Sequence, residues 1–402
     1  MISLDEARRT VAANISMLGA QDLSLAASLG SVLAEDLLSD ADYPCADRSM
    51  MDGYVVGADA IPGEFTVAGE IPAGDVPDRA IKHGEAMRIF TGAILPTGGD
   101  RVLMQEQCVR EGGSVRIDHF PEPLFIRRKS SEAKAGDVVL QKGTRIGATE
   151  MAILAQIGHV KPSVIRRPLV KHIATGDELV APGETPIPGK IRDTNSSLLA
   201  GLLAPFGLSM ESSRLADDPE AMAESTKGDW DLLLISGGAS VGDHDHGSDV
   251  LRASGFTIHF DKVNLRPGKP LTFATRGNQA AFVIPGNPVS HFVCYHVAIR
   301  LAIELMCGLK PRWDFLDLEI TNPNLIKPNP RETFWPARTS ISNGTLSTEA
   351  RPWSSSGDTF SLAETNALIR INPQANHQTL LLDLPHPCRS TQAPTPSLPT
   401  DH

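Results

Sequence analysis

Cysteine is scarce in this chain, and its five copies are scattered. There is no Cys-x-x-Cys pair and no histidine at metal-binding spacing from any of them. The pattern argues against a disulfide framework and against a zinc site, and reduced thiols are typical of the cytoplasm. We therefore expect a cytoplasmic protein with free thiols at Cys45, Cys108, Cys294, Cys307 and Cys388.

An excess of positive charge is also lacking, and so is an apolar run at the N-terminus. The 37 basic and 48 acidic residues give a net charge of −11, which argues against a nucleic-acid partner. The first residues do not join a basic segment to an apolar one, so no signal peptide is visible. The most apolar helix, expected at Val289–Met306, carries two histidines, Arg300 and Glu304, so we expect a core helix and no membrane contact.

The stretch Leu232–Asp245, with the sequence LLLISGGASVGDHD, is the most informative in the chain. Its apolar start predicts a buried strand of a parallel sheet. Residues Ser236–Gly242 suit a loop whose backbone N–H groups approach a ligand closely, with Asp243 and Asp245 placed to hold a cation. The alternative is a structural turn, but three glycines and two serines in seven residues exceed what a turn requires.

Two further strands run into similar loops. Within Leu169–Leu179 an apolar run is followed by Thr175, Gly176, Asp177 and Glu178. Within Ala280–Ser290 an apolar run is followed by Pro285, Gly286, Asn287 and Pro288. Helical patterns at Asn195–Phe206, capped by Asn195 or Ser196, and at Asp218–Lys227 separate the strands. Strands alternating with helices predict a doubly wound, mostly parallel sheet, in which ligands bind beyond the carboxyl ends of the strands. We therefore expect the three loops to form one site.

Charged residues near these loops indicate two kinds of ligand. Asp177 and Glu178 could be a helix-capping turn, but further acids favour a magnesium pocket. A zinc site at His244 and His246 lacks a third soft ligand. Arg266 and Lys269, in the RPGKP loop, are either two surface charges or a rigid site for an oxyanion or pyrophosphate. The further acids are Asp217, Asp218, Asp243 and Asp245.

The pattern of apolar and polar residues changes in the rest of the chain. Ser3 and Glu6 resemble a capping box in front of an amphipathic helix. Residues 46–137 alternate in short runs with many glycines and prolines, which predicts a small all-β domain, and helical spacing returns at Thr149–Gly158. Alternation resumes in a last β domain, and Pro385–His402 has the composition of a disordered tail. The strands of the last domain are expected at Phe315–Ile320, Thr333–Thr339 and Leu368–Ile371.

The motifs together resemble those of the molybdopterin molybdenumtransferases, called MoeA in bacteria and present as the E domain of gephyrin. TGDEL, DTN, SGGASVG followed by DHD, RPGKP and PGNPVS carry the resemblance in the second half of the chain. SMMDGYVV, MRIFTGAILP, VLMQEQ and KAGDVVLQKGTRI carry it in the first half, and SGDTFSLAETNAL near the end. The similarity covers about residues 1–385, in the family's motif order.

The resemblance implies an elongated, four-domain chain that forms a homodimer. In this division, 1–20 plus 169–310 form the α/β molybdopterin-binding domain, and 21–45 plus 138–168 form a linker and dimerisation domain. Residues 46–137 form the inserted β domain, 311–385 the C-terminal β domain, and 386–402 the tail. The expected fold class is therefore α/β plus β.

The resemblance also implies the reaction: Mg²⁺-dependent insertion of molybdate into adenylylated molybdopterin, with release of AMP. It implies a cleft shared between subunits, and apo-molybdoenzymes or the adenylyltransferase as further partners. The implied metal ligands are Asp217, Asp218 and Asp245. The implied catalytic residues are Asp52, Thr91, Glu132, Glu178, Asp245 and Lys269. The implied substrate-binding residues are Thr175, Gly176, Asp177, Asp193, Asn195, Ser236, Gly237, Gly238, Ser240, Arg266, Pro270, Pro285, Gly286, Asn287, Pro288, Arg331 and Ser356.

Several positions depart from the family pattern or leave an alternative open. Glu132 replaces a functional aspartate and is one methylene longer, and Arg266 replaces a lysine. Arg338 is a rival to Arg331, and Asp52–Gly53 could be no more than a hairpin turn. Two other functions therefore stay open: an impaired paralogue that acts as a molybdopterin-binding delivery scaffold, and a molybdopterin adenylyltransferase-type nucleotide enzyme.

Overall fold

The computed structural model describes residues 1–238, 246–342, 344–372 and 377–382. Two compact units are present. The first comprises Met1–Gln21, Gly30–Val32 and Ile165–His402, and the second comprises Asp22–Leu29 and Leu33–Val164. Ser240, Asp245 and the tail at 386–402, all part of the sequence predictions, lie outside the described residues. The four-domain division stays a prediction.

A six-stranded sheet forms the centre of the first unit. In chain order the strands are β1 (Val170–Thr175), β2 (Met210–Leu215), β3 (Leu232–Ser236), β4 (Thr257–Phe260), β5 (Thr272–Arg276) and β6 (Gln279–Ile284). Their spatial order is β2-β1-β3-β6-β5-β4; the first four of these are parallel to one another, while β5 is antiparallel to both of its neighbours. The α/β prediction is confirmed.

The continuous apolar run of β3 arises because both faces of the sheet are covered. Leu232 and Leu234 point into one hydrophobic cluster, and Leu233 and Ile235 point into another. Side chains of a strand alternate between faces, so a strand buried on both sides needs apolar residues throughout. The helices of this unit are Leu4–Asn14, Asn195–Leu203, Pro219–Ser225, His246–Ala253, Pro288–Cys294 and Arg300–Met306, with a 3₁₀ turn at Ala204–Phe206 and a π-helical segment at Tyr295–Ile299.

Pro288–Cys294, Tyr295–Ile299 and Arg300–Met306 follow one another without a break and form one continuous helix, Pro288–Met306. This is the core helix predicted from the sequence. Within the described residues it is long and apolar enough to cross a membrane, but 94% of it is buried inside the protein. Its charged residues are paired there: Arg300 Nε donates to Glu304 Oε1 at 2.8 Å, and Glu304 Oε2 accepts from the Arg312 amide at 3.1 Å. Pairing of this kind makes buried charge tolerable.

Helix caps agree with the sequence patterns in two cases and differ in one. Ser3 Oγ accepts from the Glu6 amide at 3.1 Å, and Asp218 caps Pro219–Ser225. The helix at Asn195 was expected to be capped by Asn195 or Ser196, and this was wrong. The carboxylate of Asp193 accepts from the Ser196 amide at 3.0 Å, which leaves the Asn195 side chain available for a contact elsewhere.

The C-terminal part of the first unit is a second sheet of six strands. One of its strands, Leu265–Arg266, comes from the α/β part of the chain and pairs in parallel with Glu332–Ser342. The strand expected at Phe315–Ile320 is shorter than predicted and ends at Leu316. The other strands of this sheet are Phe315–Leu316, Thr345–Ala350, Ala367–Ile371 and Gln378–Leu381, and 3₁₀ turns occur at Pro323–Leu325 and Thr359–Leu362. Elsewhere in the first unit, Leu179–Val180 and Ile191–Arg192 form a separate pair of short parallel strands.

The second unit contains the all-β segment that the alternating pattern predicted. Its six-stranded sheet has the order Gly99–Met104, Gly53–Gly57, Glu85–Ile89, Gly63–Ile71, Ser114–Ile117, Val109–Glu111. The helix Ala148–Gln156 matches the helical spacing seen in the sequence. Shorter elements of this unit are Leu37–Leu38, Arg48–Ser49, Ile126–Arg127 and Val138–Leu140, with 3₁₀ turns at Ala26–Ser28 and Gln105–Gln107. The short strands Ala20–Asp22 and Ser163–Ile165 pair with each other, and each contains residues of both units.

Candidate functional site

The carboxyl ends of the parallel strands lie side by side, and the three predicted loops leave from them. Ser236 at the end of β3 is in register with Ala174 of β1 and with Ile284 of β6. We call this edge the rim: the loops 175–178, 236–238 and 285–288 at the ends of β1, β3 and β6. The Gly237 amide donates to the Ile284 carbonyl at 3.1 Å, which joins the 236–238 loop to the end of β6, where the 285–288 loop begins.

Glycine allows these loops to approach one another closely. A Cβ on Gly237 would lie 2.4 Å from the carbonyl oxygen of Thr175, and the residue has a φ of +96°. A Cβ on Gly286 would lie 3.8 Å from the Cα of Gly237. The three loops therefore meet at one rim, as the sequence predicted, and only glycine fits at position 237.

Asn195 ties its helix to the rim. Its Nδ2 donates to the Gly286 carbonyl at 2.7 Å. Its Oδ1 is buried and has no hydrogen-bond partner within the described part of the chain. A buried acceptor without a donor costs free energy, and its burial keeps this atom away from the surface that a ligand would contact.

A buried polar network lies beneath the rim, and sequence reasoning missed it. The Ser236 hydroxyl is 2.7 Å from His172 Nε2 and 2.7 Å from His291 Nε2. Burial lowers the pKa of His172 to about 4 and that of His291 to about 3, so both rings are neutral near pH 7. Ser236 was predicted to bind substrate, but its side chain is 2% exposed and occupied by the histidines, so its hydroxyl supports the rim from below.

A cavity of about 710 Å³ opens beside the 285–288 loop and is strongly basic. We call it the basic pocket: the cavity lined by Arg266, Lys269, Arg331 and Ser356, together with Gly286 and Asn287 of the rim. None of its described lining residues is acidic. Such a pocket suits an oxyanion, because fixed cationic donors lose little entropy on binding.

The structure separates the two rival arginines. Arg331 lines the basic pocket. Burial of Arg266 lowers the pKa of its guanidinium, and the positive charge of Arg331 lowers it further. Arg338 pairs with the carboxylate of Glu364 at 2.9 Å and is not among the residues that line the pocket. Trp353 also lines the pocket and lies 5.0 Å below the Arg266 guanidinium, a contact that the sequence did not indicate.

Acidic side chains lie at the ends of β1 and β2. Asp217 Oδ1 accepts from the Thr175 hydroxyl at 2.6 Å, and the Asp217 amide donates to Asp177 Oδ1 at 3.3 Å. Glu178 is exposed, and its carboxylate fills the space beside Gly176. Asp218 uses one carboxylate oxygen as a helix cap. Within the described residues, no group of three or more His, Cys, Asp or Glu side chains could hold a metal ion.

In the second unit, Asp52 and Thr91 form the pair that the family motifs suggested. Asp52 Oδ1 accepts from the Thr91 amide at 2.7 Å and from its hydroxyl at 2.8 Å; the backbone bond is the larger cause of the lowered pKa of Asp52. The hairpin-turn alternative was wrong, because Gly53 begins a strand that pairs with two other strands. A Cβ on Gly53 would lie 1.7 Å from the Leu103 carbonyl oxygen.

The comparisons with known proteins agree with this arrangement. A family model described as the MoeA N-terminal region (domain I and II) matches residues 2–158. A second, described as a probable molybdopterin binding domain, matches residues 171–304. The molybdopterin molybdenumtransferase of Nostoc sp. is 36% identical over 363 residues, which cover 86% of this chain and 83% of that protein. The chain belongs to the molybdopterin molybdenumtransferase family.

Other members of the family give the same result. The molybdopterin molybdenumtransferase of a Staphylococcus aureus strain is 30% identical over 387 residues, which cover 92% of this chain and 91% of that protein. A solved structure of the molybdopterin biosynthesis MoeA protein of Pyrococcus horikoshii covers 94% of this chain and all of that chain, with a TM-score of 0.78 and 27% identity. Sequence and fold therefore agree over nearly the whole chain.

Glu132 is the residue that was expected to replace a functional aspartate of the family. Its carboxylate pairs with the Arg127 guanidinium at 3.1 Å, and both side chains are about half exposed. A pair of this kind contributes little to stability, about 0–1 kcal/mol. The carboxylate is therefore free to exchange its partner for a ligand at small cost, and its predicted catalytic role stays a prediction.

Proposed function

We propose that this chain inserts molybdate into adenylylated molybdopterin and releases AMP. Membership of the molybdopterin molybdenumtransferase family makes it a transferase of molybdenum cofactor biosynthesis. The observation that carries the finer proposal is the basic pocket beside the rim. This pocket offers cationic side chains for an oxyanion, and it adjoins glycine loops and amide groups that suit a pterin and a phosphate.

The two substrates would occupy neighbouring parts of this site. Arg266, Lys269 and Ser356 would hold molybdate, and Arg331 would add a second planar guanidinium. The rim would hold the pterin, to which Asn287 offers an exposed amide, while the substrate-binding role expected of the buried Asn195 stays a prediction. Binding both substrates on rigid loops brings the reacting groups together, which is the main work such residues can do.

A magnesium ion suits the acidic side of the rim. Asp217 and Asp177 present carboxylate oxygens, and Mg²⁺ commonly needs only one or two of these when substrate phosphates supply other ligands. Asp217 would hold it with Asp245, which lies outside the described residues, and with the uncapped oxygen of Asp218. When bound, the ion supplies Lewis-acid polarisation of the phosphate oxygens.

The experiment measures molybdate-dependent AMP release and molybdenum retention with purified protein, adenylylated molybdopterin and Mg²⁺. Arg331→Gln removes a charge from the basic pocket, and Arg338→Gln is the matched control, since Arg338 pairs with Glu364. We expect the first variant to lose activity at low molybdate and the second to keep it. Binding without turnover would favour the delivery scaffold, and ATP-dependent adenylylation of free molybdopterin would favour the adenylyltransferase.

We also propose that the active form is a homodimer in which the partner subunit's Asp52 and Thr91 serve the site. The proposal is supported by the pair itself: Asp52 is ionised, exposed and held by two hydrogen bonds, as a preorganised functional carboxylate should be. Mixing Asp52→Asn with Lys269→Ala subunits tests it. Random pairing restores about a quarter of wild-type activity if sites are shared across a two-fold interface, and none if each subunit carries a whole site.

A further inference from the structure

The network beneath the rim is a continuous chain of four hydrogen bonds across three strands and one helix. The Ser212 hydroxyl is 2.9 Å from His172 Nδ1, and His172 Nε2 is 2.7 Å from the Ser236 hydroxyl. Ser236 is 2.7 Å from His291 Nε2, and His291 Nδ1 is 3.3 Å from the Asn287 carbonyl oxygen. The chain therefore starts on β2 and ends on the 285–288 loop.

The chemistry of the groups fixes the direction of every bond. A carbonyl oxygen can only accept, so His291 Nδ1 donates to Asn287 and, in a neutral ring, its Nε2 must accept. Ser236 consequently gives its one proton to His291, and its oxygen accepts from His172 Nε2. Nδ1 of His172 is then an acceptor for the Ser212 hydroxyl. The two histidines are thus opposite tautomers, with the proton on Nε2 of His172 and on Nδ1 of His291.

Both rings are neutral because burial outweighs the carboxylate of Asp193, which is the charged group that faces both of them. An added proton on His291 would turn its Nε2 into a donor to the Ser236 oxygen. The Ser236 hydroxyl would then have to donate to His172 Nε2, and His172 would have to carry its proton on Nδ1. The arrangement with neutral rings is therefore the one in which His172 carries its proton on Nε2.

Resting on the proposed function, we propose that His172 and His291 are positioning residues for molybdopterin binding. By holding Ser236 from two sides and the Asn287 carbonyl from below, they fix the 236–238 and 285–288 loops relative to each other. Neither ring touches the ligand, because both are buried beneath the rim. Their effect is transmitted through loops that present Gly237 and Asn287, and buried polar networks that are fully satisfied confer such rigidity.

Removal and partial restoration of one bond test the proposal by kinetics. His172→Leu deletes the donor to Ser236, while His172→Gln restores an N–H at the ε position. We expect the leucine variant to raise the KM for adenylylated molybdopterin at least tenfold with a smaller change in kcat, and glutamine to recover most of the loss. His83→Leu, which removes an exposed histidine, is the control. An unchanged KM in folded His172→Leu protein would overturn the proposal.

A spectroscopic test on the unaltered chain covers the case in which the leucine variant does not fold. Long-range ¹H–¹⁵N correlations of histidine-labelled protein, assigned with His172→Gln and His291→Gln, distinguish the two neutral tautomers. We expect Nε2–H for His172 and Nδ1–H for His291 at pH 7. The same tautomer at both positions, or a charged ring, would contradict the chain. This readout needs no turnover, so its failure is distinct from the failure of the proposed transferase activity.

Discussion

Replacement of Gly237 by alanine is the sharpest test of the idea that three closely packed loops form the site. Gly237 has a φ of +96°, and a Cβ there would lie 2.4 Å from the Thr175 carbonyl oxygen, whereas real Cβ contacts are essentially never below 3.0 Å. One of the two loops must therefore move. A side chain at positive φ also costs about 1–2 kcal/mol.

The matched control is Gly277→Ala, at the turn that enters β6 from its amino end. Gly277 also has positive φ, +58°, but a Cβ there would meet no atom within 4 Å. Gly277→Ala should lose about 1–2 kcal/mol of unfolding free energy, measured by denaturant titration, and Gly237→Ala should lose more because the overlap adds to the cost of the positive φ. Only Gly237→Ala also displaces the rim. Because a displacement approaching 1 Å near the reacting groups costs up to about a hundredfold in rate, kcat/KM should fall by about ten- to a hundredfold.

The assay is molybdate-dependent AMP release at subsaturating adenylylated molybdopterin, with each variant compared at equal folded concentration. Equal kcat/KM in the two variants would refute the reasoning, since it would mean that the close approach of the loops has no part in binding. Loss of activity in Gly277→Ala alone would refute it as well, because that turn is at the opposite end of the strand from the rim.

Three further predictions follow from other features. Because burial depresses the pKa values of His172 and His291 to about 4 and 3, the unfolded chain binds protons below pH 6.5 that the folded chain does not. The free energy of unfolding should therefore fall as pH drops from 6.5 towards 4, by about 1.4 kcal/mol per pH unit for each histidine, measured by denaturant titration at pH 7.5 and 5.0. Gly53→Ala should cost about 3 kcal/mol or more, seen as a lower Tm, because its Cβ would overlap the Leu103 carbonyl; an unchanged Tm would contradict the strand pairing. Glu132→Gln should change the free energy of unfolding by less than about 1 kcal/mol while lowering AMP release, and unaffected release would exclude a catalytic role.

The rim could be predicted from the sequence because its signals are local. A continuous apolar run followed by glycines gives a strand and its end, and the rule for parallel sheets brings such ends together. The fold class, the core helix and the meeting of the loops at Thr175, Gly237 and Gly286 all follow from patterns within a few residues. The family motifs supplied the Asp52–Thr91 pair and the choice of reaction.

Contacts between distant segments could not be predicted in this way. His172 and His291 are 119 positions apart, and only the packing of the helix on the sheet brings both to Ser236. The helix cap at Asp193 was missed because the sequence offered several polar residues in a row and gave no reason to prefer one. Arg331 and Arg338 likewise differ only in what surrounds them: Arg331 lines the basic pocket and Arg338 does not.

The main-chain bond from the Val289 amide to the Ser356 carbonyl, 3.0 Å long, bears on how the protein can be dissected. Val289 is in the first turn of the buried helix, where amides have no partner within the helix itself. The loop between the strands Thr345–Ala350 and Ala367–Ile371 supplies that missing acceptor and also lines the basic pocket. A truncation before residue 311 would therefore remove an acceptor beside the 285–288 loop that only water could replace. The C-terminal sheet is thus no detachable module, because its removal changes the hydrogen bonding and the pocket of the half that remains.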